Sequence, residues 1–272
     1  MSTGPTANLR VSLVQGDTRW HDPDGNREYY GRLIASLRGI TDLVILPETF
    51  TSGFSNDAIE RAETMEGPTV AWMREQAAQL GAAVTGSVQL RTDAGVFNRL
   101  LFATPDGDLQ TYDKRHLFRY AGEHERYAAG RERLVVEWKS WRICPLVCYD
   151  LRFPVFSRNR YDVERPGGLD YDLLIYVANW PAVRSYPWRT LLRARAIENL
   201  CYVAAVNRVA TDGNGHAYAG ESAVIDFTGN AIAECGEMEV VSTTTLLASE
   251  LAAFRERFPA MLDADAFTLA TP

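Results

Sequence analysis

Residues 141–154 read WRICPLVCYDLRFP, and the order of apolar and polar residues along them sets the reading of the chain. Ile143, Leu146 and Val147 make an apolar strand that gives out at Tyr149, Asp150 and Arg152, with Cys148 at the exit. In open α/β folds, ligands collect where buried strands end. Just upstream, LVVEWK (134–139) reads as a partner strand turned back at Lys139. Working outward, the unit recurs. DLLIYVANWP (172–181) is a buried strand, PWRTLLRARAIEN (187–199) an amphipathic helix, and LCYVAAVNRV (200–209) a strand apolar on both faces. Gly-rich hairpins flank SAVIDF (222–227), and LLASELAAFRERFP (246–259) reads as a closing helix with Pro259 beyond it.

The first half has the same organisation. LRVSLVQ (9–15) alternates as a strand, NREYYGRLIASLRGI (26–40) has helical spacing, and DLVILPE (42–48) follows at once. VAWMREQAAQLG (70–81) predicts a helix stopped by Gly81, AAVTGSVQL (82–90) a strand, and NRLLFATPDGDLQTYDKR (98–115) two strands flanking Pro-Asp-Gly. The first eight residues read as a frayed tail. No Pro- or Ser-rich linker divides the halves, so the expectation is one α/β domain over 1–272, with its core at about 9–259, mixed sheets inside and helices outside.

Charge and composition exclude several classes. With 28 Lys plus Arg against 35 Asp plus Glu, the net charge is −7, and no basic block supplies a footprint for nucleic acid or an anionic membrane surface. No apolar run approaches the length of a bilayer span, and the N-terminus lacks a secretory signal, so the expected compartment is the cytoplasm. Cysteines 144, 148, 201 and 235 form no C-x-x-C pair, and the four histidines show no metal-binding spacing; neither disulfides nor a metal are expected. G-x-S-x-G and nucleotide-binding glycine motifs are also missing, as GNGHAYAG has the wrong spacing and sits in a hairpin.

Three polar groups sit where apolar runs end: Glu48 after LVILP, Lys114 after LQTYD, and Cys148. Lys114 is one of two lysines in a chain that otherwise uses arginine, which hints at a need for a compact ammonium. A lone cysteine is commonly a small buried hydrophobe, the role expected of Cys144, and Glu48 would equally serve as a solvated strand end. A nucleophilic cysteine needs a neighbouring base or positive charge, which Glu48 and Lys114 could supply together.

PETF (47–50), YDKRHLF (112–118) and CYDLRFP (148–154) resemble the nitrilase superfamily of carbon–nitrogen hydrolases, and ANWP (178–181), RARAIEN (193–199) and GESAVID (220–226) extend the similarity from Leu9 to Pro259. The resemblance implies a four-layer αββα sandwich with two mixed β-sheets and outer helices, homodimerisation across a helical interface, and a triad of Glu48, Lys114 and Cys148. It also implies a second glutamate, offered here by Glu123 or Glu125; counting back from Gly130 favours Glu123. In the implied chemistry Cys148 attacks an amide carbon, Glu48 moves the proton, Lys114 and the Tyr149 N–H hold the oxyanion, and no cofactor takes part. The motif blocks are most similar to the omega-amidase branch, which implies small amides bearing a carboxylate, such as 2-oxoglutaramate and 2-oxosuccinamate. Arg152 is the candidate clamp for that carboxylate, with an Asp150–Arg152 or inter-helix salt bridge as the alternative, while Phe118, Tyr149 and Trp180 would shape an apolar slot. Another small amide or carbamoyl amine, or a catalytically silent dimeric binding protein of the same fold, are the competing readings.

Overall fold

Side-chain alternation along the strands sorts the interior into layers. Among the described residues, 4–165 and 167–269 of the computed structural model, two six-stranded mixed sheets lie face to face. In chain order the strands are β1 (Leu9–Gln15), β2 (Leu43–Ile45), β3 (Ala83–Thr92), β4 (Gly95–Ala103), β5 (Leu109–Asp113), β6 (Val136–Trp138), β7 (Trp141–Val147), β8 (Leu173–Ala178) and β9 (Tyr202–Asn207). A small hairpin, β10 (Val209–Thr211) and β11 (Ala217–Ala219), precedes β12 (Ala223–Ile225), β13 (Ala231–Glu234) and β14 (Val240–Leu246). The sheet orders are β14-β1-β2-β3-β4-β5 and β13-β12-β9-β8-β7-β6. Each has a parallel centre, β1-β2-β3 or β7-β8-β9, flanked by antiparallel strands.

Val11, Leu13, Leu43 and Ile45 face the second sheet and join its Ile143, Leu146 and Val147 in one core. Their neighbours Val14, Val44 and Val84 point the other way, onto helices α1 (Pro23–Ile34) and α2 (Pro68–Leu80), where they meet Tyr30, Ile34, Met73 and Ala77. This period-two split is what a strand buried on both faces requires. Local sequence sets the helix ends: Asp22 caps α1 by accepting the Gly25 N–H at 3.0 Å, and Gly81 stops α2 with φ 67°. Two short helices, α3 (Glu123–Arg126) and α4 (Pro154–Ser157), lie in the connections beside the sheet ends. Helix α5 (Ser185–Asn199) buries Trp188, Leu192 and Ala196 against the second sheet, completing the αββα stack. Helix α6 (Ala248–Arg257) closes the chain as read.

Two expectations need correction. Residues before β1 are not a frayed tail where they are described: the Thr6 N–H donates to Ser140 Oγ at 3.0 Å, Ala7 O accepts from Trp141 Nε1 at 2.7 Å, and Asn8 Oδ1 accepts the Ala248 N–H at 3.1 Å. Residues 1–3 of that tail lie outside the described residues. The edge strand β14 was not anticipated. It pairs with all of β1, from Leu9 opposite Leu246 to Gln15 opposite Val240.

Helix α6 is fastened by charge. Arg255, fully buried, donates to the Asp172 carboxylate and to the carbonyls of Leu200 and Tyr171, while Arg142 grips the same carboxylate through Nε and Nη2 at 3.0 and 2.9 Å. Removing one member of such a buried cluster strands the others without compensation. Arg255→Leu should therefore lower stability by about 3 kcal/mol or more in denaturant titration; a change within error would show that Arg255 does not fasten the helix.

Candidate active site

Strands of both sheets release polar residues into one cavity. Glu48 lies just beyond β2, Lys114 follows β5, Cys148 follows β7 and Asn179 follows β8. The first two belong to one sheet and the last two to the other, so the face-to-face packing of the sheets sets the geometry between them.

Lys114 is the hub. Its Nζ donates to Glu48 Oε1 at 2.9 Å and to both oxygens of Glu123 at 3.0 Å, and it lies 5.3 Å from the Phe54 ring centroid. All three side chains are essentially inaccessible to solvent. Burial alone pulls an ammonium pKa down, but here the Glu123 and Glu48 carboxylates overcome it and hold Lys114 charged, well above its ordinary range. Glu123 starts α3 directly after Gly122, and its Oε2 also accepts the Phe118 N–H at 2.5 Å. Burial, and then the proximity of Glu48, raise the Glu123 pKa against the pull of Lys114. Glu125, the other candidate, points outward with its side chain 72% exposed. The structure thus brings Glu123, and not Glu125, to the lysine.

Glu48 is fixed on all sides. Oε1 accepts from Asn98 Nδ2 at 2.8 Å besides Lys114, and Oε2 accepts the Asn179 N–H at 2.8 Å and, at 3.3 Å, Asn179 Nδ2. Cys148 opens on a cavity of about 600 Å³ and has φ 44°, a left-handed conformation uncommon outside glycine. Its Sγ lies 3.8 Å from the Asn179 carbonyl oxygen. Burial first, then the charge of Glu48, push the thiol pKa well up, and Lys114 only partly opposes them. Burial and the neighbouring carboxylate thus favour the thiol form of Cys148 over the thiolate. By contrast Cys144 is sealed inside β7, with its pKa raised to about 12 by burial.

Phe118, Tyr149, Arg152 and Trp180 line the same cavity as Glu48, Lys114 and Cys148. Arg152 makes no salt bridge to Asp150, contrary to one expectation. It lies over the Trp180 ring at 4.9 Å, whereas buried Asp150 is saturated by Tyr112 Oη at 2.7 Å, Val147 N at 3.0 Å, and His116 N and Nδ1 at 3.0 and 2.7 Å. That carboxylate therefore ties the Lys114 loop to the turn carrying Cys148. Asp150, Asn98 and Asn179 are site residues that sequence reasoning missed. Asn98 had one usable signal, an amide inside the apolar run of β4, where a fully buried polar side chain must find partners. Trp188 does not reach the cavity; it backs Trp180 at 5.5 Å and donates from Nε1 to Glu221 O at 2.8 Å. Among the described residues no cluster of His, Cys, Asp and Glu is arranged to hold a metal ion, and no helix is long and apolar enough to cross a membrane.

Comparison with known proteins agrees with this architecture. The carbon–nitrogen hydrolase family model matches residues 10–256. The omega-amidase YafV of Yersinia enterocolitica is 47% identical over 264 residues, covering 97% of this chain and 99% of its own, and a 2-oxoglutaramate amidase of Bacillus subtilis is 31% identical over 93% and 96%. A crystal structure of XC1258 from Xanthomonas campestris, a CN-hydrolase superfamily protein with an arsenic adduct in its active site, superposes with a TM-score of 0.96 at 71% identity, covering 97% of this chain and 100% of that one. Shared fold, near-complete coverage and the strand-end cluster of Glu48, Lys114 and Cys148 lead to one conclusion: the chain belongs to the carbon–nitrogen hydrolase family, the nitrilase superfamily, and is a hydrolase of C–N bonds.

Proposed function

We propose that this enzyme is an omega-amidase, releasing ammonia from the terminal amide of a small carboxylate-bearing substrate of the 2-oxoglutaramate or 2-oxosuccinamate type. The observation that carries the reading is the lysine locked between two buried glutamates, at 2.9 and 3.0 Å, beside a cysteine on a strained strand exit. As substrate binds, Cys148 Sγ attacks the amide carbon while Glu48 takes the thiol proton. Lys114 and the Tyr149 N–H receive the oxyanion, where a fixed donor in a dry site contributes about 3 to 4 kcal/mol. Glu48 then hands its proton to the departing nitrogen, ammonia leaves, and a thioester remains. Water, deprotonated by Glu48, attacks that thioester and frees the acid and the thiol. Glu123 holds Lys114 in place throughout. The guanidinium of Arg152, exposed above Trp180, is a cation at this cavity available to a far carboxylate, and similarity to the omega-amidase YafV and the 2-oxoglutaramate amidase supports the substrate class.

An ammonia-release panel tests both chemistry and substrate. 2-Oxoglutaramate should be favoured over glutamine, a neutral aliphatic amide, an N-carbamoyl amine and a nitrile. Cys148→Ala should lose about 10⁴-fold or more in turnover while remaining folded, whereas Cys144→Ala keeps most activity. Preference for the neutral amide would overturn the substrate assignment, and undiminished turnover in Cys148→Ala the nucleophile.

The charge balance gives a second, signed expectation. Glu48 is among the groups that raise the Cys148 pKa, and Lys114 opposes it. In Glu48→Gln the opposing ammonium stays, so the thiol pKa falls and the thiolate fraction at a given pH rises. Labelling of Cys148 by iodoacetamide should then shift to lower pH as amide turnover collapses. A profile that is unmoved, or moved to higher pH, would remove Glu48 from the role of base.

The scattered cysteines, without disulfide spacing, fit a reducing compartment, and the reading places the enzyme in the cytoplasm; the homodimer follows from the family resemblance. Sedimentation as a clean monomer at working concentration would refute the dimer.

A further inference from the structure

Several arginines among the described residues are committed to carboxylates: Arg10 to Asp42, Arg99 to Asp113, Arg142 to Asp172, Arg208 to Asp17. Two that face the cavity are different. Among the described residues neither Arg152 nor Arg184 has a carboxylate partner, and both guanidinium groups rest on aromatic rings. Of the other carboxylates lining the cavity, Asp212 accepts from Tyr218 Oη at 2.8 Å, Asn214 N at 2.9 Å and His216 N at 3.0 Å, and exposed Asp57 forms no ion pair with either arginine.

The two arginines are not held equally. Arg152 is exposed on a single ring, whereas Arg184 is half-buried, its Cζ 5.5 Å from the Phe118 centroid and 5.4 Å from that of Tyr120. The backbone of Arg184 is pinned as well, its N–H donating to Pro181 O at 2.9 Å and its carbonyl accepting from Trp180 Nε1 at 2.8 Å. The platform beneath it is fixed in turn, because the Phe118 N–H is bonded to Glu123, the anchor of Lys114. A planar cation stacked on aromatic faces keeps its in-plane N–H donors for an incoming anion, loses little freedom on binding, and meets a carboxylate through two parallel bonds.

We propose that Arg184 is the main specificity-determining residue, the group that selects a carboxylate at the far end of the substrate, with Arg152 as an outer, weaker contact. This rests on the carboxylate-bearing substrate class proposed above and changes which residue reads it.

Succinamate and its methyl ester form a matched pair, equal in shape at the amide and differing in charge at the far end. Ammonia release from each is measured for the wild type, Arg184→Ala, Arg184→Lys and Arg152→Ala, with circular dichroism to check folding. Arg184→Ala should reduce kcat/KM for succinamate by about thirty-fold, mainly through KM, as expected for a lost charged hydrogen-bonding partner, and alter the ester by less than about three-fold. Arg184→Lys should recover part of the loss, and Arg152→Ala should show the smaller selective effect. Equal losses on both substrates would make Arg184 a packing residue and overturn the proposal, as would a selective loss confined to Arg152→Ala. A wild type that does not prefer succinamate over its ester would instead defeat the carboxylate reading itself, and this assignment with it.

Discussion

A single buried ammonium constrains this active site. Lys114 is almost inaccessible to solvent, and an isolated charge at such depth is untenable without partners. Its Nζ donates to Glu48 and to Glu123, within reach of both oxygens of the latter, and these carboxylates in turn require donors of their own. Asn98 supplies one to Glu48 and Asn179 supplies others, while Phe118 N completes Glu123. The requirement spreads outward from the lysine through β4, the exit of β8 and α3, until no charged atom of the cluster lacks a partner. Sheet packing and charge satisfaction are thus one problem here, since Glu48 and Asn179 come from different sheets.

The same accounting decides the state of the cysteine. In a thiolate–cation pair the positive charge dominates, and the thiol is ionised before substrate arrives. Here burial, and after it the charge of Glu48, outweigh the ammonium, and the thiol is pushed up instead. The proposed nucleophile is consequently made only when Glu48 accepts its proton as the carbon–sulfur bond forms. Sulfur, base and ammonium must hold their spacing for that to work. Asp150, whose carboxylate joins the Lys114 loop to the Cys148 turn through four donors, provides the stiffness.

How much of this the sequence reveals depends on whether a residue's partners lie on its own element. Alternating strands such as β1 and helices with marked ends such as α2 are read from their own residues. Strand β14, VVSTTTL, is half polar because it is an edge with one face outward, so its pattern does not separate it from a loop. The N-terminal anchors escape notice because two of the three involve backbone groups of residues 6 and 7, which carry no side-chain signature. Glu123 and Glu125 look alike in a four-residue helix; only the fold turns the first inward. The Asp150–Arg152 pairing is plausible in sequence and fails in space, since donors 34 and 38 residues away had already claimed the carboxylate. Asn98 and Asn179 have the same origin: their partners are 50 and 131 residues distant.

Glu123 links the chemistry to the choice of substrate. One carboxylate fixes the ammonium assigned to the oxyanion and also the backbone of Phe118, whose ring packs against Tyr149 at 5.0 Å and supports the guanidinium of Arg184. The wall that would recognise the far end of the substrate and the group that would stabilise charge at the near end therefore share an anchor. Both ends line one cavity of about 600 Å³. On the proposed assignment, contact at the carboxylate helps place the amide carbon against sulfur, so that binding energy gained away from the reacting bond becomes orientation at it.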